Sequence, residues 1–165
     1  MADTVQRFKI ADYLNTATEG ETEEYNLCGV GFNTLDENPG AQTDTKIYVH
    51  EQVASTNIKS YQSTFPFDTD MIKTEAVVMD LYNIGRNRKT GVDAERDYVR
   101  VELFEPAEGS ANTFKARKFR VAVEVSGCTG AGGETIHVAG NFHPVGAHID
   151  GTFNTMTKTF NAAEE

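Results

Sequence analysis

Three histidines, His137, His143 and His148, lie close together in the last third of the chain, with Asp150 just behind them. Imidazole and carboxylate together make a ligand set for zinc or a related ion. Their spacing matches no zinc signature, and Pro144 and Gly146 interrupt the segment. The three side chains therefore stand as candidate metal ligands without a motif, and no cofactor is expected. Cys128 would become a nucleophile only with a base held beside it, and His137 is the nearest conceivable one. The glycine-rich run Gly127-Cys128-Thr129-Gly130-Ala131-Gly132-Gly133 fails as a phosphate loop. Such a loop ends in Gly-Lys-Ser/Thr and opens a helix, whereas Glu134 follows here. There is no Gly-x-Ser-x-Gly elbow. No enzymatic activity and no catalytic residue are expected.

The charges carry more information. The 165 residues have 25 acids against 15 Lys and Arg, a formal net charge of −10. Phosphate neutralisation needs the opposite balance, which argues against a dedicated nucleic-acid binder. A surface that DNA slides past without sticking remains compatible. The acids Asp36 and Glu37 belong to residues 1–45, where Arg7 and Lys9 are the only bases, while Arg86, Arg88 and Lys89 and then Lys115, Arg117, Lys118 and Arg120 come later. Two readings fit this segregation. The charges lie on solvated loops and strand ends, or two faces of one molecule complement each other head to tail, as in rings and filaments.

Two cysteines, Cys28 and Cys128, read as separate reduced thiols rather than a disulfide framework. No apolar run approaches the ~20 residues of a spanning helix. Met1-Ala2-Asp3-Thr4 lacks the regions of a signal peptide, so the chain is expected to stay in the cytoplasm unless an assembly carries it out.

The elements that must position these side chains are mainly strands. Period-two alternation is clearest in Phe114 to Val125, where Phe119, Val121, Val123 and Val125 face one way and Lys118, Arg120, Ala122 and Glu124 the other. Asp97 to Phe104 alternates similarly, with Val99, Val101 and Leu103 on one face and Tyr98, Arg100 and Glu102 on the other. Further strands are expected from Phe8, over 25–32, 46–49, 58–65 (ended by Pro66), 135–142 and 151–160, with a turn at Asp36 to Gly40. One α-helix is expected over about residues 70–85. Asp68, Thr69 or Asp70 would cap its start and Gly85 would follow its end. Val77, Val78 and Leu81 form one apolar stripe, and Ile72, Ala76 and Met79 a second. The second stripe is either sunk in the protein's own core or covered by a neighbouring subunit. The fold expected is a β-sandwich or barrel of antiparallel strands with one helix packed against it. It is one domain over 1–165, with a possible N-terminal arm (1–15) and a short C-terminal tail (161–165).

From Ala76 to Phe160 the sequence resembles the tail tube (major tail) proteins of long-tailed bacteriophages of Gram-positive hosts. The residues that carry the likeness are Asp80-Leu81-Tyr82-Asn83-Ile84-Gly85-Arg86 with Thr90-Gly91, then Asp97-Tyr98-Val99-Arg100-Val101. Ala116 to Val125 and Gly151 to Phe160 complete it. The resemblance implies hexameric rings that stack into a hollow tube, through whose lumen DNA passes without sequence-specific binding. It implies contacts with further copies and with other tail proteins (tape measure, tail terminator, baseplate or tip), a place in the virion tail after assembly in the host cytoplasm, and no membrane. It also implies ring-to-ring contacts through a loop between early strands (Asn33 to Thr45), the N-terminal segment to Asn15, and the tail after Phe160. The interface residues expected are Ile72, Ala76, Met79, Lys118, Arg120, Asp36 and Glu37. Two other readings are a head-decoration or head–tail joining protein, and a small metal- or ligand-binding β-barrel.

Overall fold

The computed structural model describes residues 3–17, 20–109 and 111–163. Its strands in chain order are β1 (Ile10–Asn15), β2 (Tyr25–Leu27), β3 (Phe32–Leu35), β4 (Ala41–Lys46), β5 (Ser55–Tyr61) and β6 (Phe65–Asp70). The helix α1 (Ala76–Arg86) comes next, then β7 (Glu95–Pro106), β8 (Thr113–Thr129), β9 (His137–Pro144), β10 (Ile149–Asn154) and β11 (Thr159–Ala162). The protein is mainly β, antiparallel, with one α-helix among the described residues, as the alternation predicts.

Nine strands form one sheet, in the order β2-β1-β7-β8-β9-β6-β3, with β10 on β8 and β11 on β10. The long strand β8 organises it. One edge of β8 pairs with β7. The other edge is divided, with residues 113–118 paired to β10 and residues from Val121 onward paired to β9. The sheet therefore parts at β8 and encloses apolar side chains on both faces of its central strands. Leu14, Phe65, Phe67, Leu81, Tyr98, Phe119, Val121 and Phe142 belong to the larger cluster. Tyr13, Tyr25, Val99, Val101, Ala116 and Phe153 form the smaller one. Both faces of β7 are covered: Tyr98 and Arg100 are buried on one, Val99 and Val101 on the other.

The helix starts later than its spacing predicts. Phe65, Phe67 and Thr69 bury alternately, and this holds residues 65–70 in the sheet between β9 and β3. Asp68, Thr69 and Asp70 are thus strand residues, and Glu75 occupies the N-cap. Pro66 lies inside β6 and does not end a strand; its carbonyl accepts from Asp36 N at 3.1 Å. At the other end Gly85 belongs to the helix. A Cβ there would stand 2.9 Å from Val125 Cγ1, so glycine is what lets α1 lie close on β8. The chain then turns through Arg88, at φ 52°, and Lys89 N donates to Ile84 O at 3.1 Å.

Both expected chain ends are drawn partly into the sheet. Residues 10–15 of the expected N-terminal arm are β1, paired with β2 and β7. The run expected as one last strand is a hairpin, β10 and β11, and Asn161 and Ala162 of the expected tail pair with Thr152 and Gly151. Glu164 and Glu165 lie outside the described residues. Among those residues no helix is long and apolar enough to cross a membrane.

Candidate functional site

Cross-strand register places three charges in one row on the inner face of the sheet. Asp12 of β1 opposes Arg100 of β7, which opposes Arg117 of β8. The row below is Leu14, Tyr98 and Phe119; the row above is Ile10, Glu102 and Lys115. The charged row therefore lies where the core meets its rim. Asp12 is buried and is met from three sides. Arg7 reaches it at 3.0 Å, Arg100 at 3.5 Å, and the Tyr98 hydroxyl donates to it. Glu37 closes the row, accepting two 2.8 Å bonds from Arg117. Those bonds hold its carboxyl below the ordinary value, against the opposing effect of burial. Burial, with Asp12 nearby, pushes the Cys28 thiol far up, so this thiol is inert at neutral pH. The cluster is a closed set of partners in which each acid meets more than one donor. These pairings tie β1, β7 and β8 to Arg7 and Glu37.

The segregated charges prove to meet within the chain. Besides Glu37 and Arg117, Lys118 pairs with Glu23 at 3.5 Å. Arg120 lies 3.3 Å from Asp97 and 3.7 Å from Glu95. Of the residues expected at an interface, Glu37, Lys118 and Arg120 are thus engaged inside one subunit, while Asp36 is exposed. The second apolar stripe does not form one helix face. Ile72 precedes α1 and touches the β3 side of the sheet near Gly31, Met79 is half-buried, and Ala76 is exposed.

The histidines do not converge. His137 Nδ1 lies 3.1 Å from Asp70 and 3.5 Å from Asp68. His143 pairs with Glu124 at 3.2 Å, and His148 with Asp150 at 3.4 Å. Each imidazole has a carboxylate of its own, and among the described residues no cluster of three or more His, Cys, Asp or Glu is placed to hold a metal. Cys128 is exposed on β8 opposite Val138. The glycine run begins inside β8, since Gly127, Cys128 and Thr129 still pair with β9.

The feature that sequence reasoning missed is an arm. Strands β4 and β5 pair with each other as a separate two-stranded ribbon. Every residue of both strands is exposed, and neither packs extensively on any other element. Six large apolar side chains are left in water: Ile47, Tyr48, Val49, Val53, Ile58 and Tyr61. The ribbon is rooted firmly. Asn38 and Thr64 exchange two 2.9 Å backbone bonds, and Gln62 N donates to Gly40 O at 2.9 Å, so the β3–β6 ladder runs on into the arm. Gly40 sits at φ 63° where a Cβ would fall on the Gln62 carbonyl. Asp36 to Gly40, expected as a turn, is instead the joint between body and arm.

A groove opens beside that joint. It encloses about 880 Å³ between β1, β2 and β3 and is walled by Phe8, Ala11, Leu27, Phe32, Leu103 and Phe114. Phe8 and Leu27 expose 67% and 47% of their surface on its rim. The outer edge of β3 has no strand partner among the described residues. Arg7 spans the gap, donating to Asp12 at 3.0 Å and to Leu35 O at 2.8 Å.

No protein-family model and no curated protein matches the sequence. Among solved structures, a chain in the cryo-electron-microscopy structure of the anti-feeding prophage (AFP) baseplate, six-fold symmetrised, shares the fold with a TM-score of 0.50. Identity is 5%, and the match covers 93% of this chain and 98% of that one.

Proposed function

We propose that this chain is a structural subunit of a phage-tail-like particle, assembling with copies of itself into stacked rings of six that enclose a hollow tube. The arm is the observation that carries this reading. An isolated two-stranded ribbon is marginal in water, and exposing a long strand pair with six apolar side chains invites association. A subunit whose working state is an assembly has a use for such a ribbon, because a neighbour covers it. The likeness in fold to a chain of a six-fold symmetrised prophage baseplate supports the same reading, as does the resemblance of Ala76 to Phe160 to tail tube proteins. The net charge of −10 suits a conduit whose wall must not hold DNA. On this reading the chain performs no catalysis, binds no cofactor, meets other tail proteins at the two ends of the tube, and resides in the virion tail.

Negative-stain electron microscopy across a concentration series, with sedimentation velocity alongside, tests it. Rings or hollow tubes of uniform width are expected. A strict monomer at high concentration, also in the presence of preformed tail tips, would overturn the proposal.

A further inference from the structure

The joint between body and ribbon, Asp36 to Gly40, is held in two different ways. On one side it continues a backbone ladder. Leu35 pairs with Phe67, Asp36 N donates to Pro66 O, Asn38 and Thr64 exchange their bonds, and Gln62 N reaches Gly40 O. Such a ladder fixes the two chains to each other but leaves the pair free to bend as a unit, since a two-stranded ribbon twists readily. On the other side only side chains hold it. Arg7 donates to Leu35 O at 2.8 Å, and Arg117 makes its paired bonds to Glu37 two residues further on. Arg100 stands 4.0 Å from the same Glu37 carboxylate. The charged row thus runs from Arg7 through Asp12, Arg100 and Glu37 to Arg117, and both its ends are tied to the chain where it enters the ribbon. From this arrangement we infer that Arg7 and Arg117 are two straps that set the angle of the ribbon against the body, and that Arg7 is the strap that lets go.

The two straps differ in hold. The Arg7 side chain is 51% exposed, and Asp12 keeps Arg100 and the Tyr98 hydroxyl when Arg7 leaves. An ion pair so open to water is weak. Arg117 is 24% exposed and grips Glu37 through two parallel bonds, the stronger geometry. Arg7 also rides on a segment with little else to hold it. Residues 3–9 are exposed, and the short turn Arg7–Lys9 buries no side chain. Drawing that segment off the body removes the bond to Leu35 O and leaves the β3–β6 ladder whole. The ribbon then swings about residues 36–40 on the Arg117 strap alone. Coupling of this kind is reciprocal, so a load that bends the ribbon also loosens the N-terminal segment. The row therefore does more than stabilise the fold. It carries a displacement near the start of the chain to the tip of the ribbon.

Distances between two spin labels test this in the full-length chain, at a concentration where sedimentation velocity shows a monomer. Cys128 is exposed and takes one label, while Cys28 is buried and stays unlabelled. Val49→Cys, at a fully exposed position in the ribbon tip, takes the other. Six paired rows make the ribbon about 20 Å long, so each ~10° of swing moves the tip about 3.5 Å. With Arg7 in place the distance distribution should be narrow. Arg7→Ala should widen it by at least about 4 Å, while hydrogen exchange at the Asn38, Gln62 and Thr64 amides stays as slow as before. Adding Glu37→Gln should widen it further. Lys9→Ala removes a like charge from the same segment without touching the strap, and should leave the distribution as it was. A distribution that is already broad with Arg7 present, that Arg7→Ala leaves unchanged, or that Lys9→Ala widens equally would overturn the inference. So would faster exchange at Asn38 and Gln62 in the Arg7 variant, because the root would then be melting rather than swinging.

Discussion

The row Asp12, Arg100 and Arg117 and the ribbon Ala41 to Tyr61 treat their side chains in opposite ways. In the row, charged groups are drawn to the edge of the core and each meets an opposite charge. In the arm, large apolar groups are pushed into water and none is covered. The row has its partners inside the subunit, so its energy is spent on folding. The arm has none there, and on the proposed function its apolar side chains serve association. Substitutions should therefore separate cleanly, with the body governing stability and the arm governing assembly.

The strongest way to break this contrast is Asp12→Ala. It strands the buried Arg100 and Tyr98 hydroxyl and releases the half-exposed Arg7, and the cost expected is about 3–5 kcal/mol in urea denaturation. A loss below 1 kcal/mol would mean that the row is incidental. Glu37→Gln should cost less, about 1.5–3 kcal/mol, because it weakens the paired bonds from Arg117 at a site that is only partly buried. It also carries a pH signature. Arg117 lowers the folded carboxyl below its ordinary 4.5. The stabilisation is thus complete above about pH 4.5 and is lost as pH falls through the folded value. Acid denaturation profiles of the Gln variant should lose that part of the slope.

Arg88→Gly should act in the reverse direction. Arg88 holds a left-handed conformation at the end of α1, and glycine there should raise stability by about 1 kcal/mol, read as a higher melting temperature. The smallest effect on folding belongs to the arm. Val49→Asp should change stability by no more than about 0.5 kcal/mol, while rings or tubes disappear from electron micrographs. If that variant instead unfolds the body, the contrast between the regions fails.

The body was largely legible in the sequence. Phe119, Val121 and Val123 alternate because β8 buries one face continuously, and Val77, Val78 and Leu81 mark the helix because the same face of α1 meets the sheet. What escaped has physical causes. The Asp12, Arg100 and Arg117 row is built from β1, β7 and β8, and no local pattern links residues so far apart in sequence. The arm has no buried face, so β4 and β5 show no alternation, and Lys46 to Val49 read as a strand where β4 in fact ends. The hairpin after Asn154 was hidden because its turn has no Gly or Pro. Asn154 instead accepts from Met156 N and Thr157 N, and Lys158 takes the left-handed position. The candidate histidines were visible as residue types, and Asp150 beside His148 with them, but the carboxylate partners of His137 and His143 come from β6 and β8, which only the register brings beside them.

The pairing of β1 with β7 also sets a timetable. Ile10 opposes Glu102, so at about 5–20 residues per second the ribosome makes the first strand wait roughly 5–20 s for its neighbour. The arm is finished at Tyr61, but the groove needs Leu103 and Phe114. The ribbon can therefore pair with itself before the groove beside its root has a complete wall.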